Sequence, residues 1–389
     1  MHANPDLPAP SPEALEVSHR LVERLRRRIE SGGGWIDFSD YMKAVLYEPG
    51  LGYYSAGAQK FGAAGDFVTA PEISPLFARC IARAIAPVFE RLAGSCVLEL
   101  GAGTGALAAE LLVALQRLGC LPDEYRVLEP SADLRERQRE TLQTQVPELA
   151  ARVRWLDRLP DAGFRGVILA NEVLDALPVS RFRLTQGRAE ALGVGLRGDR
   201  FASEPRRVTS QTARLLDERL PAGLPDHFVS EYCPSLPAWV GQLAGLLERG
   251  LVLFADYGLP RREYYHPARA SGTLVCHYRH RVHHDPFLWP GCQDISAWVD
   301  FTAVAQAGID AGLDLAGYTT QAHFLIANGI ETEAAALAGE SDADQIAQAS
   351  ALRQLLLPGE MGEHFKLIAM SRALPPGIVN IGHDLSHRL

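Results

Sequence analysis

Three glycines stand at alternate positions, Gly101, Gly103 and Gly105, directly after the apolar run Val97–Leu100, and a carboxylate, Glu99, lies two residues before the first. Glycines so placed let the chain turn sharply and let a ligand lie against bare backbone. Two ligand classes use such a turn. A dinucleotide needs G-x-G-x-x-G/A, which Gly101, Gly103 and Ala106 meet loosely. An S-adenosylmethionine site favours an acid two before the first glycine and then G-x-G-x-G, which Glu99 and Gly105 complete. A dinucleotide brings an anionic pyrophosphate to the helix that follows. S-adenosylmethionine brings an ammonium and a sulfonium, which suit a carboxylate better. The electrostatics favour S-adenosylmethionine, with a nicotinamide-dependent oxidoreductase as the alternative.

Other polar residues close similar apolar runs. Glu129 ends Tyr125–Glu129, about 24 residues beyond Gly105, close to the separation of ~20 at which nucleoside-binding folds place a carboxylate on the ribose hydroxyls. Asp157 ends Val153–Asp157, where an acid could meet the adenine amino group. Asn171, Glu172 and Asp175 follow the run Gly166–Asn171, at a strand end of the kind where open α/β sheets do chemistry. Asn171 and Asp175 could equally cap the turn there. Gly65, Asp66 and Glu72 lie in a small-residue loop that reads as a lid over the glycine turn, or as a capped loop whose acids serve a helix dipole. His280-x-x-His283-His284 invites a metal, but no carboxylate sits at metallopeptidase spacing. The stretch 260–300 around it, rich in Tyr, His and Arg, reads as a substrate wall, and no metal is expected.

These residues need strands and helices to hold them. Leu251–Gly258 reads as a fifth buried strand, and Leu313–Gln321 and His364–Ser371 as late ones, for about seven in all. Helical patterns cover Ser11–Ile29, Leu76–Leu92, Ala106–Leu118, Leu134–Leu142, Gln211–Leu220, Leu236–Leu247, Asp294–Ala307 and Ala334–Gln354. Ser39 or Asp40 is the candidate cap of a short helix ending near Tyr47, and Thr69 or Ser74 that of the helix before the glycine turn. Arg181–Phe201, broken by Gly187, Gly193, Gly195 and Gly198, reads as a hairpin.

Composition narrows the class. A chain of 389 residues, 47% hydrophobic and 22% charged, has an ordinary globular balance and room for two domains or one with insertions. A net charge of −9 gives no basic field for nucleic acid. Six widely spaced cysteines without a C-x-x-C pair read as reduced thiols of a cytosolic protein. No run is apolar enough to span a bilayer, and Met1–Pro12 reads as neither signal peptide nor convincing mitochondrial leader.

Taken in order, G-D-F-V-T-A-P-E at 65–72, V-L-E-L-G-A-G-T-G at 97–105, V-L-E-P-S at 127–131, A-N-E-V-L-D-A-L-P-V at 170–179 and A-D-Y-G at 255–258 resemble the MidA-like methyltransferases. D-I-S-A-W-V-D-F at 294–301, T-Q-A-H-F-L at 320–325 and P-G-E-M-G-E-H-F at 358–365 extend the likeness, which runs from about Phe38 to Ser371. The resemblance implies an α/β class I methyltransferase fold: a Rossmann-like seven-stranded sheet with one antiparallel edge strand and insertions after strands four and five. It implies S-adenosyl-L-methionine as methyl donor. The family includes the mitochondrial protein-arginine methyltransferase that assists respiratory complex I assembly, so the implied partner is a protein, a complex I-type subunit. This chain looks like a bacterial, cytoplasmic member. An arginine acceptor would need Glu172 as the base, with Asp175, Asp66 and Glu72 as secondary carboxylates; Asn171 could instead orient an amide or amine acceptor. The cofactor set is Gly65, Asp66, Glu99, Gly101, Gly103, Gly105, Glu129, Asp157 and Asn171. The expected segments are 1–34 (tail and helix), 35–94 (helical lid), 95–180 (cofactor-binding core), 181–249 (insertion), 250–260 (fifth strand), 261–312 (aromatic insertion), 313–375 (completion of the sheet) and 376–389 (tail). A binding factor that assists assembly with little catalysis is a further alternative, and a homodimer is left open.

Overall fold

The apolar run before the glycines is strand β1 (Cys96–Leu100), buried at every position and central in a mixed sheet. Around it lie β2 (Glu124–Leu128), β3 (Val153–Leu156), β4 (Phe164–Asn171), β5 (Leu247–Leu259), β6 (Asp314–Thr320) and β7 (Phe365–Arg372). Their order is β6-β7-β5-β4-β1-β2-β3. β1 is parallel to β2 and β4, and the pairs β2–β3 and β4–β5 are parallel too. Chain direction through the sheet reverses its order at β1 and β4, so a crevice opens beyond their carboxyl ends. This is the class I methyltransferase topology that the motifs imply.

The computed structural model describes residues 7–55, 69–92, 94–337 and 341–389. They fall into two units. One holds the mixed sheet and comprises the described residues from Thr69 to Leu174, with Leu236–Pro260 and Phe301–Leu389. The other comprises the described residues up to Ser55, with Asp175–Ser235 and Arg261–Asp300.

In the sheet unit, helices α1 (Pro75–Phe89), α2 (Ala106–Arg117), α3 (Ala132–Gln145), α4 (Leu236–Leu246) and α5 (Phe301–Asp310) supply apolar faces. Leu107, Leu111 and Leu115 repeat every four residues on α2, and all are buried. Arg79 of α1 is buried as well, and its guanidinium bonds Glu110 of α2 at 2.7 Å. Thr69 and Ser74 both cap: the first begins a four-residue helix, Ala70–Ile73, and the second begins α1.

The second unit carries antiparallel sheets. Arg200–Arg207, Arg188–Arg197, Ser180–Thr185 and Val229–Tyr232 pair in that order, which contains the expected hairpin. Gly193 and Gly195 fall inside a strand rather than at turns. A Cβ on Gly193 would lie 2.2 Å from the Trp35 ring, so glycine is needed there for packing. Arg281–His283, Val275–Tyr278 and Asp294–Ser296 form a smaller sheet.

Four local expectations change. The reversed strand is β7, not an edge strand. It is buried along nearly its whole length and lies between β5 and β6, antiparallel to both, while β6 with its exposed start takes the edge. Asp294–Ser296 is a strand because it pairs with Val275–Tyr278, and the helix starts only at Phe301. Asp37 caps Phe38–Tyr47 by accepting from the Ser39 N–H at 2.8 Å, in place of Ser39 or Asp40. The alanine-rich stretch is two helices, Ile330–Leu337 and Asp342–Leu356, the second capped by Ser341. Among the described residues no helix is long and apolar enough to cross a membrane, and no three His, Cys, Asp or Glu side chains converge as metal ligands would.

The amino ends of the central strands are crowded. Cys96, Gly166 and Gly250 share one register row across β1, β4 and β5. A Cβ on Gly166 (φ +143°) would lie 1.8 Å from the Cys96 carbonyl oxygen, and one on Gly250 (φ +150°) 1.9 Å from that of Gly166. Gly166→Ala combines overpacking with a backbone that side chains avoid, so a loss of about 3 kcal/mol is expected. Urea denaturation checks this; a loss under about 1 kcal/mol would contradict the close packing.

Candidate cofactor and acceptor site

Gly101 begins the turn by donating its N–H to the Leu128 carbonyl at 3.0 Å, which ties the end of β1 to the end of β2. Gly101, Gly103 and Gly105 all have positive φ, +64°, +53° and +87°. The outer two are tightly packed: a Cβ would meet Val173 Cγ2 at 3.1 Å from Gly101, and Gln138 Cα at 3.1 Å from Gly105. A Cβ on Gly103 would meet no atom of the described residues within 4 Å. Gly103 therefore offers an open backbone ledge, the feature a ligand lying on this turn requires. Gly105 caps α2 in the left-handed conformation.

Beside the turn are two buried carboxyls. Glu99 is 2% exposed, and Tyr125 Oη donates to its Oε2 at 2.7 Å. Burial pushes its pKa up to about 7; the Tyr125 hydrogen bond pulls it down and the nearby Glu129 charge raises it. Glu129, also buried, accepts the Ser131 N–H at 3.0 Å, and Ser131 caps α3. Arg135 ties the ends of β2 and β3 together. Its guanidinium donates to the carbonyls of Glu129 and Leu156 and to Asp157 Oδ1, the last at 2.6 Å. The Asp157 side chain is 91% exposed.

The end of β4 is shaped differently. Glu172 has φ +54°, a left-handed conformation that costs a non-glycine residue about 1–2 kcal/mol. Its N–H donates to the Ala255 carbonyl at 2.9 Å. Buried Asp256, near the end of β5, then holds the turn: its Oδ2 accepts from Val173 N at 3.1 Å and Leu174 N at 2.9 Å, and its Oδ1 from Tyr257 N at 2.9 Å. Asn171 Nδ2 donates to Glu172 Oε1 at 3.1 Å. That bond fixes which way the amide points. Asn171 Oδ1 is buried and has no hydrogen-bond partner among the described residues.

Glu99, the three glycines, Glu129, Asn171 and Glu172 thus meet at the carboxyl ends of β1, β2 and β4, with Asp157 at the neighbouring end of β3. Asp175 belongs to the other unit, where its carbonyl accepts the Ala297 N–H at 3.1 Å. There, burial and the carboxylates of Asp294 and Asp175, with Tyr47 and Tyr53, hold the Tyr54 phenol well above its ordinary pKa. Glu72 accepts from the Thr69 N–H at 3.4 Å, in the first turn of its short helix. Gly65 and Asp66 lie outside the described residues. Tyr125 and Asp256 have roles that the spacing did not reveal. A tyrosine on the buried face of a strand does signal a hydroxyl in need of a partner; nothing local marks Asp256 as the clamp of a turn 83 residues away.

Residues 80–319 match a family described as "Putative S-adenosyl-L-methionine-dependent methyltransferase". A crystal structure from Burkholderia thailandensis, bound to S-adenosyl-homocysteine, superposes with a TM-score of 0.94 at 47% identity, covering 99% of this chain and 100% of that one. A native structure from the same organism gives 0.90 at 46% identity over the same shares. Among curated proteins, the Drosophila melanogaster "Protein arginine methyltransferase NDUFAF7 homolog, mitochondrial" is 30% identical over 93% of this chain and 88% of its own length. The mouse protein arginine methyltransferase NDUFAF7 is 29% identical over 90% and 84%.

A cation seated against Glu99 would bind the ionised carboxyl. Below about 7 the site must first release a proton, so affinity for S-adenosylmethionine is expected to rise about 5- to 10-fold from pH 6 to pH 7.5 and level off above. Glu99→Gln flattens that rise. Calorimetry in two buffers of different ionisation enthalpy reads the proton released; equal heats at pH 6 would exclude the contact. Gly103→Val strains the left-handed position and fills the ledge. It is expected to weaken S-adenosyl-homocysteine binding at least about 30-fold, and an unchanged affinity by calorimetry would place the ligand elsewhere.

Proposed function

Because this chain belongs to the MidA-like family of S-adenosyl-L-methionine-dependent methyltransferases, we propose that it methylates a nitrogen of a protein side chain, an arginine by analogy with its animal relatives. On the same resemblance the acceptor protein is a respiratory complex I-type subunit. The family also decides between the two ligand classes open to the glycine turn, in favour of the methyl donor over the dinucleotide.

What carries the reading of the acceptor is the pair at the end of β4. Asn171 Oδ1 is a buried acceptor without a donor among the described residues, and Glu172 beside it is a carboxylate on a strained backbone. Two oxygen acceptors side by side suit a group rich in N–H donors. A guanidinium has five and stays protonated in water.

When bound, S-adenosylmethionine supplies a methyl carbon activated by the adjoining sulfonium. Gly103 gives it a backbone ledge, Glu99 faces its cationic end, Glu129 its ribose hydroxyls and Asp157 its adenine amino group. Asn171 Oδ1 accepts one N–H of the acceptor and aims the attacking nitrogen. Glu172 accepts another and takes its proton as the N–C bond forms and the S–C bond breaks. The clamp of Asp256 on Val173 and Leu174 keeps Glu172 where that transfer requires it.

Glu172→Gln keeps the shape and removes the base. S-adenosyl-homocysteine affinity is expected to stay within about threefold while turnover falls at least about 100-fold. Full turnover would remove Glu172 from the mechanism. Mass spectrometry of proteins from cells with and without the gene should find a methyl-arginine that disappears with it. Unchanged marks beside an assembly defect would instead identify a binding factor that assists assembly.

A further inference from the structure

Helix α3 has a buried stripe at every fourth residue: Leu134, Gln138 and Leu142. The middle position is polar, and Gln138 is 1% exposed. An apolar side chain would continue the packing stripe there, so the polar choice needs partners of its own. The amide is fully engaged instead. Trp155 Nε1 donates to Gln138 Oε1 at 2.8 Å. Gln138 Nε2 donates to the Gly103 carbonyl at 3.0 Å and to Glu129 Oε2 at 3.4 Å.

Those three partners leave the amide one orientation. An indole N–H can only donate, so the oxygen must face Trp155. The two amide hydrogens then face two acceptors, a backbone carbonyl and a carboxylate. The carbonyl belongs to the open ledge of the glycine turn, and the carboxylate is the one proposed to hold the ribose. Trp155 is in turn flanked by the Arg139 guanidinium, 4.9 Å from the ring centroid.

We propose that Gln138 is a positioning residue for the nucleoside. One amide, oriented by the Trp155 indole, locks the Gly103 ledge and the Glu129 carboxylate at a fixed separation, so that the ribose hydroxyls meet a preset acceptor. The inference rests on the reading of Glu129 as the ribose ligand. It adds that the setting of Glu129 comes from β3 and α3, through a residue that does not itself touch the reacting atoms. The glycine at 105 completes the arrangement. A Cβ there would press on Gln138 Cα at 3.1 Å and shift the amide.

The test measures two things on the full-length protein: the dissociation constant of S-adenosyl-homocysteine, and competition by adenosine against 2′,3′-dideoxyadenosine, which lacks both ribose hydroxyls. Wild type is expected to prefer adenosine by about tenfold or more, the worth of a good hydrogen bond to a charged group. Gln138→Met fills the same volume without the amide. It is expected to weaken S-adenosyl-homocysteine at least about tenfold and to shrink the adenosine preference below about threefold. Trp155→Phe leaves Gln138 in place but frees its orientation, and should move both quantities the same way by a smaller factor. It also carries the test should Gln138→Met fail to fold.

A merely structural Gln138 would weaken both nucleosides alike and leave their ratio untouched. An unchanged ratio in a folded variant therefore overturns the proposal, whatever happens to overall affinity. A wild type that does not distinguish the two nucleosides overturns the ribose role of Glu129 and, with it, the role of Gln138. A wild-type preference that survives in the variants overturns Gln138 alone.

Discussion

Backbone crowding at one end of the sheet determines what meets at the other. Cys96, Gly166 and Gly250 stand in one row, so close that neither glycine position admits a Cβ. That contact fixes the register of β1, β4 and β5. Running forward in step, the same strands bring Leu100, Ala170 and Phe254 into another row, and the chain then delivers Gly101, Glu172 and Asp256 within a residue or two of it. A slip of one residue would turn each of these groups to the opposite face of the sheet. The glycine turn, the strained glutamate and its clamp are thus parts of one register.

Three carboxyls are buried near those ends, and their surroundings divide them. Asp256 accepts three backbone N–H groups, so its charge is well solvated by the protein and serves to hold a turn. Glu129 is held by the Ser131 N–H at the start of a helix, where the dipole also favours an anion. Glu99 has a phenol hydroxyl beside it and a neighbouring negative charge, and its carboxyl rises to about 7. The group least compensated by the protein is the one best compensated by a bound cation. Hydrogen bonding rather than burial thus separates Asp256, which holds a turn, from Glu99 and Glu129, the two carboxyls proposed to face a ligand, although all three look alike as the last polar residue of an apolar run.

That likeness explains what could be read from the sequence. The glycine turn and the strand ends at Glu129, Asp157 and Asn171 depend on local patterns of apolar residues and breakers, and they stand in the structure as read. The place of β7 between β5 and β6 depends on which strand can be buried on both faces, a property of the assembled sheet. Asp294–Ser296 has the look of a capped helix start, but pairing with Val275–Tyr278 outweighs local preference. Gly193 looks like a turn and is a packing site for Trp35, a contact across 158 residues of chain. Gln138 did leave a trace, as a polar residue in an otherwise apolar stripe, but its partners come from the turn after β1, from the residue after β2 and from β3.

The strained conformation at Glu172 shows how such long-range partners decide the site. Alone, a left-handed glutamate would relax to an extended or helical conformation and gain about 1–2 kcal/mol. Here relaxing would also break the bonds from Val173 and Leu174 to the Asp256 carboxylate, each worth about 1.5–3 kcal/mol as a hydrogen bond to a charge. It would in addition leave a buried anion short of donors. The second set of terms is larger, so β5 holds Glu172, the residue after β4, in a conformation that it would not keep alone. At the same bend the Asn171 amide nitrogen donates to Glu172, and its oxygen has no hydrogen-bond partner among the described residues. The proposed acceptor pair, Asn171 and Glu172, is therefore a product of two strands. Neither the strained residue nor its clamp suffices to make it alone.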